Sequence, residues 1–241
     1  MFFRYTRWTR QPQYPVGIDR SHPSVRALYS AVNMAGVPYE STQRGLPVPL
    51  TTVTKALNAG LHGSIGTFDV EPAANGQVYT STGWRYETGS GDFSILIVSQ
   101  LIGSSSATYY SAQSTFGNAI LVGQSSYVPY IEIGGLNNLT FSGYSPTAGD
   151  VLACIFSYTY NSSTTLTGYN LTKNVAFTET KASAGVPYGG WGDATYNSIT
   201  VGGGFKQTPS VPVFLDARWR RRVEGAEARE IIANPWQLFA P

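Results

Sequence analysis

The side chains able to do chemistry are sparse in this chain, and their spacing decides what they could do. Fourteen Asp and Glu are spread over 241 residues, beside two histidines and one cysteine. Hydrolysis of a glycosidic bond needs two carboxyl groups about 5–10 Å apart across the sugar. Asp69 and Glu71, in Phe-Asp-Val-Glu, alternate and would share one face of a strand. No third acid follows them, so a solvated edge is the better reading. Glu132 stands alone in Ile-Glu-Ile. His22 before Pro23 reads as a turn residue, and His62 in Gly-Leu-His-Gly-Ser as a loop; neither sits in a multi-histidine metal pattern. No Gly-x-Ser-x-Gly elbow is present, and Gly202-Gly-Gly-Phe lacks the Lys-Ser/Thr of a phosphate loop. Gly149-Asp150 and Gly192-Asp193 could each lend one oxygen to calcium, but no dense Asp/Asn cluster accompanies them. Cys154, in Val-Leu-Ala-Cys-Ile-Phe, reads as a small buried hydrophobe and as a lone cysteine has no internal disulfide partner. The expectation is a protein without catalytic residues, metal or cofactor.

Two constellations point to binding instead. Pro-Tyr-Gly-Gly-Trp-Gly-Asp places Tyr188, Trp191 and Asp193 in a glycine-rich loop over 187–193. An exposed ring there could stack on a pyranose while the carboxylate accepts its hydroxyls. The competing reading is that Trp191 caps one end of the core. The second constellation is basic. Ten of the twelve arginines lie within the first 26 or last 24 residues; those segments sum to +6, while the chain between them sums to −4. Arg218, Arg220, Arg221 and Arg222 form the densest run, followed by apolar Trp236, Leu238 and Phe239. If the termini meet, these residues make a basic, partly apolar side suited to docking on an acidic partner, because Arg is favoured at interfaces. A nucleic-acid binder would show a broader basic surface, so no specific nucleic acid is expected.

The elements that must position these residues are short β runs separated by Gly, Ser, Asn and Pro clusters. Strands are expected at 77–79, 93–101, 119–123, 130–133, 151–160, 175–180, 198–201 and 211–215. The runs at 93–98 and 151–158 are apolar enough to be central and covered on both faces. Amphipathic helices do not alternate with the strands, so the pattern indicates an antiparallel sandwich. One helix is expected from Glu224 to Asn234, with Ala228, Ile231 and Ile232 on its buried face and Pro235 ending it. The expected organisation is one domain: an extended N-terminal segment over 1–30, a sandwich over 31–222, and a helix with an apolar tail over 223–241 packed on the sandwich or a partner. No 18-residue apolar run occurs, and the N-terminus lacks the apolar stretch of a signal peptide, so no membrane association is expected.

Three stretches carry a resemblance to a known family. The C-terminal segment runs Phe214-Leu-Asp-Ala-Arg-Trp219, then Glu224-Gly-Ala-Glu-Ala-Arg-Glu-Ile-Ile-Ala-Asn-Pro-Trp-Gln-Leu-Phe239. Gln11-Pro, Val16-Gly-Ile-Asp19 and His22-Pro23 lie at the other end, and Gly91-Asp-Phe-Ser-Ile95 lies between them. Together they resemble the LamG/concanavalin A-like jelly-roll domains of bacteriophage proteins. The chain departs from that pattern in having Glu224 where the family often has a Ser N-cap, and Arg220-Arg221-Arg222 where it has Asn-Arg. The resemblance implies an all-β, concanavalin A-like jelly roll. It further implies a virion structural protein, on the head or the tail, made in the host cytoplasm, partnered by phage structural proteins and by copies of itself. The alternative expectation is an adhesin that recognises host surface glycans through Tyr188, Trp191 and Asp193.

Overall fold

Runs of β-branched and aromatic residues suit a pleated, half-buried surface, and the Gly, Asn and Ser between them suit tight turns. The computed structural model describes residues 8–10, 12, 16–33, 39–40, 54–57, 64–67, 79–80, 91–101, 107–112, 120–133, 137–183, 198–201 and 213–240. In chain order their strands are β1 (Leu28–Asn33), β2 (Tyr39–Glu40), β3 (Thr54–Leu57), β4 (Ser64–Thr67), β5 (Tyr79–Thr80), β6 (Phe93–Gln100), β7 (Ala107–Ala112) and β8 (Ile120–Ser125). There follow β9 (Val128–Ile133), β10 (Asn137–Thr140), β11 (Val151–Thr159), β12 (Ser163–Asn170), β13 (Val175–Ala182), β14 (Ser198–Val201) and β15 (Val213–Trp219), then the helix α1 (Gly225–Ala233). Among the described residues they form two antiparallel sheets. The first runs β13-β12-β11-β6-β15-β1-β2, with β4 pairing β15 and β3 pairing β4; the second runs β10-β9-β8-β7-β14-β5. The fold is an all-β jelly-roll sandwich with one short α-helix.

The two strands expected to be central are central. β6 and β11 pair from Phe93↔Tyr158 to Gln100↔Val151, and nearly every residue of both is buried. Burial is continuous because both faces are covered. Leu96, Val98, Ala153 and Ile155 face α1 and the chain termini, in one apolar layer with Val16, Trp219, Ile231, Trp236 and Phe239. On the opposite face Ile97, Cys154 and Phe156 meet Val122 of the second sheet across a narrow cleft. Cys154 is buried there as expected, and burial pushes its thiol up to about 12, far from a reactive thiolate.

The expected strands omit β1, β2, β3, β4, β7, β10 and β12, and the last two show one reason. β12 reads Ser-Thr-Thr-Leu-Thr-Gly-Tyr-Asn and β10 Asn-Asn-Leu-Thr, with too few apolar residues to show a pattern. Their pairing partners hold them in place, so tertiary context overrides local propensity. α1 agrees closely with expectation. Its buried face is Ala228, Ile231 and Ile232, and Glu224 at the N-cap makes no side-chain capping bond.

Candidate functional site

The two ends of the chain are tied together by buried and part-buried hydrogen bonds. His22 begins the tie: its Nδ1 accepts from the Ser24 backbone N–H at 3.2 Å, and its Nε2 lies 3.3 Å from Gln237 Oε1. An accepting Nδ1 is unprotonated, which assigns the proton of a neutral ring to Nε2 and makes it the donor to Gln237. Gln237 Nε2 donates onward to the Glu230 carbonyl at 2.8 Å. Trp219 Nε1 donates to the Ser24 carbonyl at 2.7 Å, Asn234 Nδ2 to the Trp8 carbonyl at 2.9 Å, and Trp8 Nε1 to the Ala240 carbonyl at 2.7 Å. The backbone joins in through Asp19 N–H to Leu238 O, Ala240 N–H to Gly17 O, and a bridge between Ile18 and Phe239.

The middle stretch of the family resemblance belongs to the same assembly. Asp92 accepts the Tyr160 N–H at 3.2 Å and so fastens the β11–β12 hairpin, while Phe93 packs on Tyr158 at 5.0 Å. Ser94 Oγ donates to the Arg221 carbonyl and accepts the Val223 N–H, both at 2.9 Å. Its cross-strand neighbour Ser157 donates to the Val223 carbonyl at 2.6 Å. These two serines explain polar residues in otherwise apolar strands: they satisfy the backbone where β15 turns into α1. Three stretches far apart in sequence thus form one clasp.

The clasp revises the expected docking set. Arg218 and Asp216 are 1% and 0% exposed and pair with each other on the face of β15 that looks toward the second sheet. Alternation along a strand puts residues i and i+2 on one face, so Asp-Ala-Arg delivers acid and base together. Trp236, Leu238 and Phe239 are buried in the chain's own core. These four expected docking residues therefore face inward, Arg218 toward the second sheet and Trp236, Leu238 and Phe239 over the opposite face of the first sheet, which they cover. Arg221 is half-buried: its guanidinium forks onto Glu227, with Nη1 to Oε2 at 2.7 Å, and its Nε donates to the Arg26 carbonyl at 2.8 Å. The Arg221 hydrogen bond holds the Glu227 carboxyl below its ordinary value. Arg222 is exposed and pairs with Glu224. Arg10, Arg20, Arg26, Arg220 and Arg229 are also exposed. Of the expected docking set, Arg220 and Arg222 are exposed, Arg221 is half-buried and the apolar members are in the core.

The described carboxylates are largely committed to structure. Asp150 Oδ2 accepts the Thr147 N–H at 2.9 Å, Asn170 Nδ2 at 2.8 Å and Lys173 Nζ at 2.7 Å. Burial alone would raise its carboxyl, but Lys173, Thr147 and Asn170 together outweigh that and hold it below the ordinary value. Where the sequence offered Asp150 as a calcium ligand, a lysine ammonium sits instead. Glu179 accepts the Gly143 N–H at 2.7 Å and pairs with Lys181, and Asp19 holds the Ser21 N–H. Glu132 is buried in β9. Among the described residues no group of three metal-ligating side chains occurs. Asp69, Glu71 and His62 lie outside the described residues. So do Tyr188, Trp191 and Asp193, which fall in the connection from β13 of the first sheet to β14 of the second.

No family model matches the chain, and no curated protein matches its sequence. Solved structures share its fold. The binding domain of botulinum neurotoxin DC in complex with SialylT aligns at TM-score 0.53 and 8% identity, over 87% of this chain and 52% of that one. A botulinum neurotoxin type C structure, described by its interaction with two ganglioside molecules, aligns at 0.51 and 10%, over 88% and 51%. A Trypanosoma rangeli sialidase in complex with 2,3-difluoro-KDN aligns at 0.50 and 12%, over 93% and 37%. The chain spans about half the length of the neurotoxin structures and little more than a third of the sialidase. At such identities the likeness establishes the jelly-roll fold and not the activity.

Proposed function

We propose that this chain is a non-catalytic, lectin-like jelly-roll domain that binds glycans through the loop carrying Tyr188, Trp191 and Asp193. The observation that carries the reading is the sandwich itself, shared with neurotoxin structures named for SialylT and ganglioside interactions. In sequence the stretch lies between β13 of the first sheet and β14 of the second, and binding residues concentrate on loops held by a rigid scaffold. An aromatic ring beside a carboxylate supplies the stacking face and the hydroxyl acceptor that a sugar needs. A binding role is preferred to hydrolysis because Asp19, Asp92, Asp150, Asp216, Glu179, Glu224 and Glu227 are each held by a donor of the fold. The test is a glycan array with the purified chain. Binding to a defined glycan class is expected, with loss on Trp191→Ala and no change in thermal stability. An array without hits, or hits that survive Trp191→Ala and Asp193→Ala, would remove the reading. Release of sugar that stops on Asp69→Asn or Glu71→Gln would replace it with a glycosidase.

A second reading concerns where such a domain is carried. The exposed arginines beside the clasp and the phage-type stretches support a virion component, docked by its basic face on an acidic phage structural protein. Arg220→Glu with Arg222→Glu, sparing the structural Arg218 and Arg221, should abolish incorporation into particles while the chain stays folded. Normal occupancy of the variant on particles would exclude it.

A further inference from the structure

A sheet edge is a row of unpaired N–H and C=O groups, and proteins keep such edges short, bulged, broken by proline or covered. Among the described residues the other outer strands obey. β2 and β5 have two residues each, and β3 and β10 have four. β13 ends the first sheet with eight, Val175–Ala182. It pairs with β12 through eight consecutive residues without a bulge, and it contains no proline. Bulges do interrupt β1–β15, β6–β15 and β7–β8. One face of β13 carries Ala176, Thr178, Thr180 and Ala182, all exposed; the other carries Phe177, Glu179 and Lys181, half-buried. Val175, at its start, is 40% exposed and is the exposed large apolar side chain among the described residues.

We propose that β13 pairs antiparallel with the β13 of a second copy of this chain, joining the first sheets of two protomers into one. Charge selects the register. In an antiparallel pair directly opposed residues share a face, so a two-fold axis between identical strands places one residue opposite itself. An axis at Glu179 or at Lys181 sets like charges against each other, which is destabilising. An axis at Thr180 sets each Glu179 against the other strand's Lys181, and each Thr178 against Ala182. Within one strand Lys181 Nζ already lies 3.1 Å from Glu179 Oε1, so the four charges alternate in sign around the axis. The small side chains at 176, 178, 180 and 182 leave nothing bulky to hold the second strand away. The contact is isologous, so it closes at two copies and consumes the edge.

The experiment is sedimentation velocity on the full chain. The wild type is expected to be a dimer. Lys181→Glu and Glu179→Lys should each weaken self-association about tenfold or more, because each opposes like charges twice. An equimolar mixture of the two variants should restore the dimer, since the acids of one then face the lysines of the other. Thermal unfolding of each variant reports folding separately, because Glu179 also holds the Gly143 N–H; if Glu179→Lys does not fold, Lys181→Glu alone decides. A monomeric wild type overturns the proposal. So does a dimer that Lys181→Glu leaves intact, or two folded variants whose mixture stays monomeric.

Discussion

The first sheet is built differently at its two sides. Around β6, β15 and β1 the backbone is covered by the clasp, both termini and a set of hydrogen bonds to Ser24, Arg221, Val223 and Leu238, and α1 carries that cover across β11 and β12. At β13 the cover thins to one loop. Tyr144 stacks on Phe177 at 4.3 Å, Glu179 holds Gly143, and Phe177 lies over Gly168. The recognisable sequence stretches all belong to the first side. A stretch that reads like a signature can therefore record how a fold closes, while the surfaces free to meet partners carry ordinary residues.

The largest test of that contrast is the buried pair. Asp216→Ala should cost about 3–5 kcal/mol in denaturant unfolding, because it removes the carboxylate paired with the buried Arg218 guanidinium. Replacing both by apolar residues of similar volume should recover most of that loss. If Asp216→Ala costs no more than a surface change, the pair is not the interior anchor described here. Trp236→Ala or Phe239→Ala should cost a similar amount, about 3–5 kcal/mol, through the cavity left between α1 and the sheet. Loss of that size would show that the apolar tail serves the chain's own core.

Across the molecule, at the thinly covered side, the effects shrink. A Cβ at Gly168 would fall 2.1 Å from Phe177 Cζ, so Gly168→Ala must move the ring. The expected cost is about 1–3 kcal/mol, with most of it abolished in a Phe177→Ala background. Equal penalties in both backgrounds would mean that the glycine is needed for another reason.

Acid sharpens the comparison, because each side has one carboxyl held below its ordinary value: Glu227 in the clasp and Asp150 near β12. A depressed carboxyl binds its proton more weakly in the folded state than in the unfolded one. Its stabilisation is therefore complete above the ordinary carboxylate range and is lost as pH falls through that range and below. Asp150→Asn should flatten the acid limb of the stability profile more than Glu227→Gln, since Asp150 is the more deeply buried and the less screened by solvent. The smallest expected change is a gain. Glu224→Ser supplies the missing N-cap acceptor and should stabilise α1 by about 0.5–1 kcal/mol, read as a rise in melting temperature.

Much of the fold was legible beforehand for local reasons. The apolar runs at 93–98 and 151–158 could only be covered strands, and Pro235 could only end the helix. β12 escaped because threonines and a mid-strand glycine have no apolar period, although Gly168 is needed where Phe177 crosses it. Arg218 was legible in part: alternation separates it from its neighbours, but nothing local says which face is interior.

By itself the sequence determined the all-β class, the central strands, the helix and its end, and the uneven charge between termini and body, all of which follow from patterns within a few residues. Only the tertiary structure decided that Arg218 is an interior partner of Asp216, that Trp236, Leu238 and Phe239 belong to the chain's own core, and that His22, Ser94 and Gln237 serve one clasp. Those outcomes depend on which distant segments share a sheet or a face, and strand register and layer stacking set that through contacts separated by up to the full length of the chain.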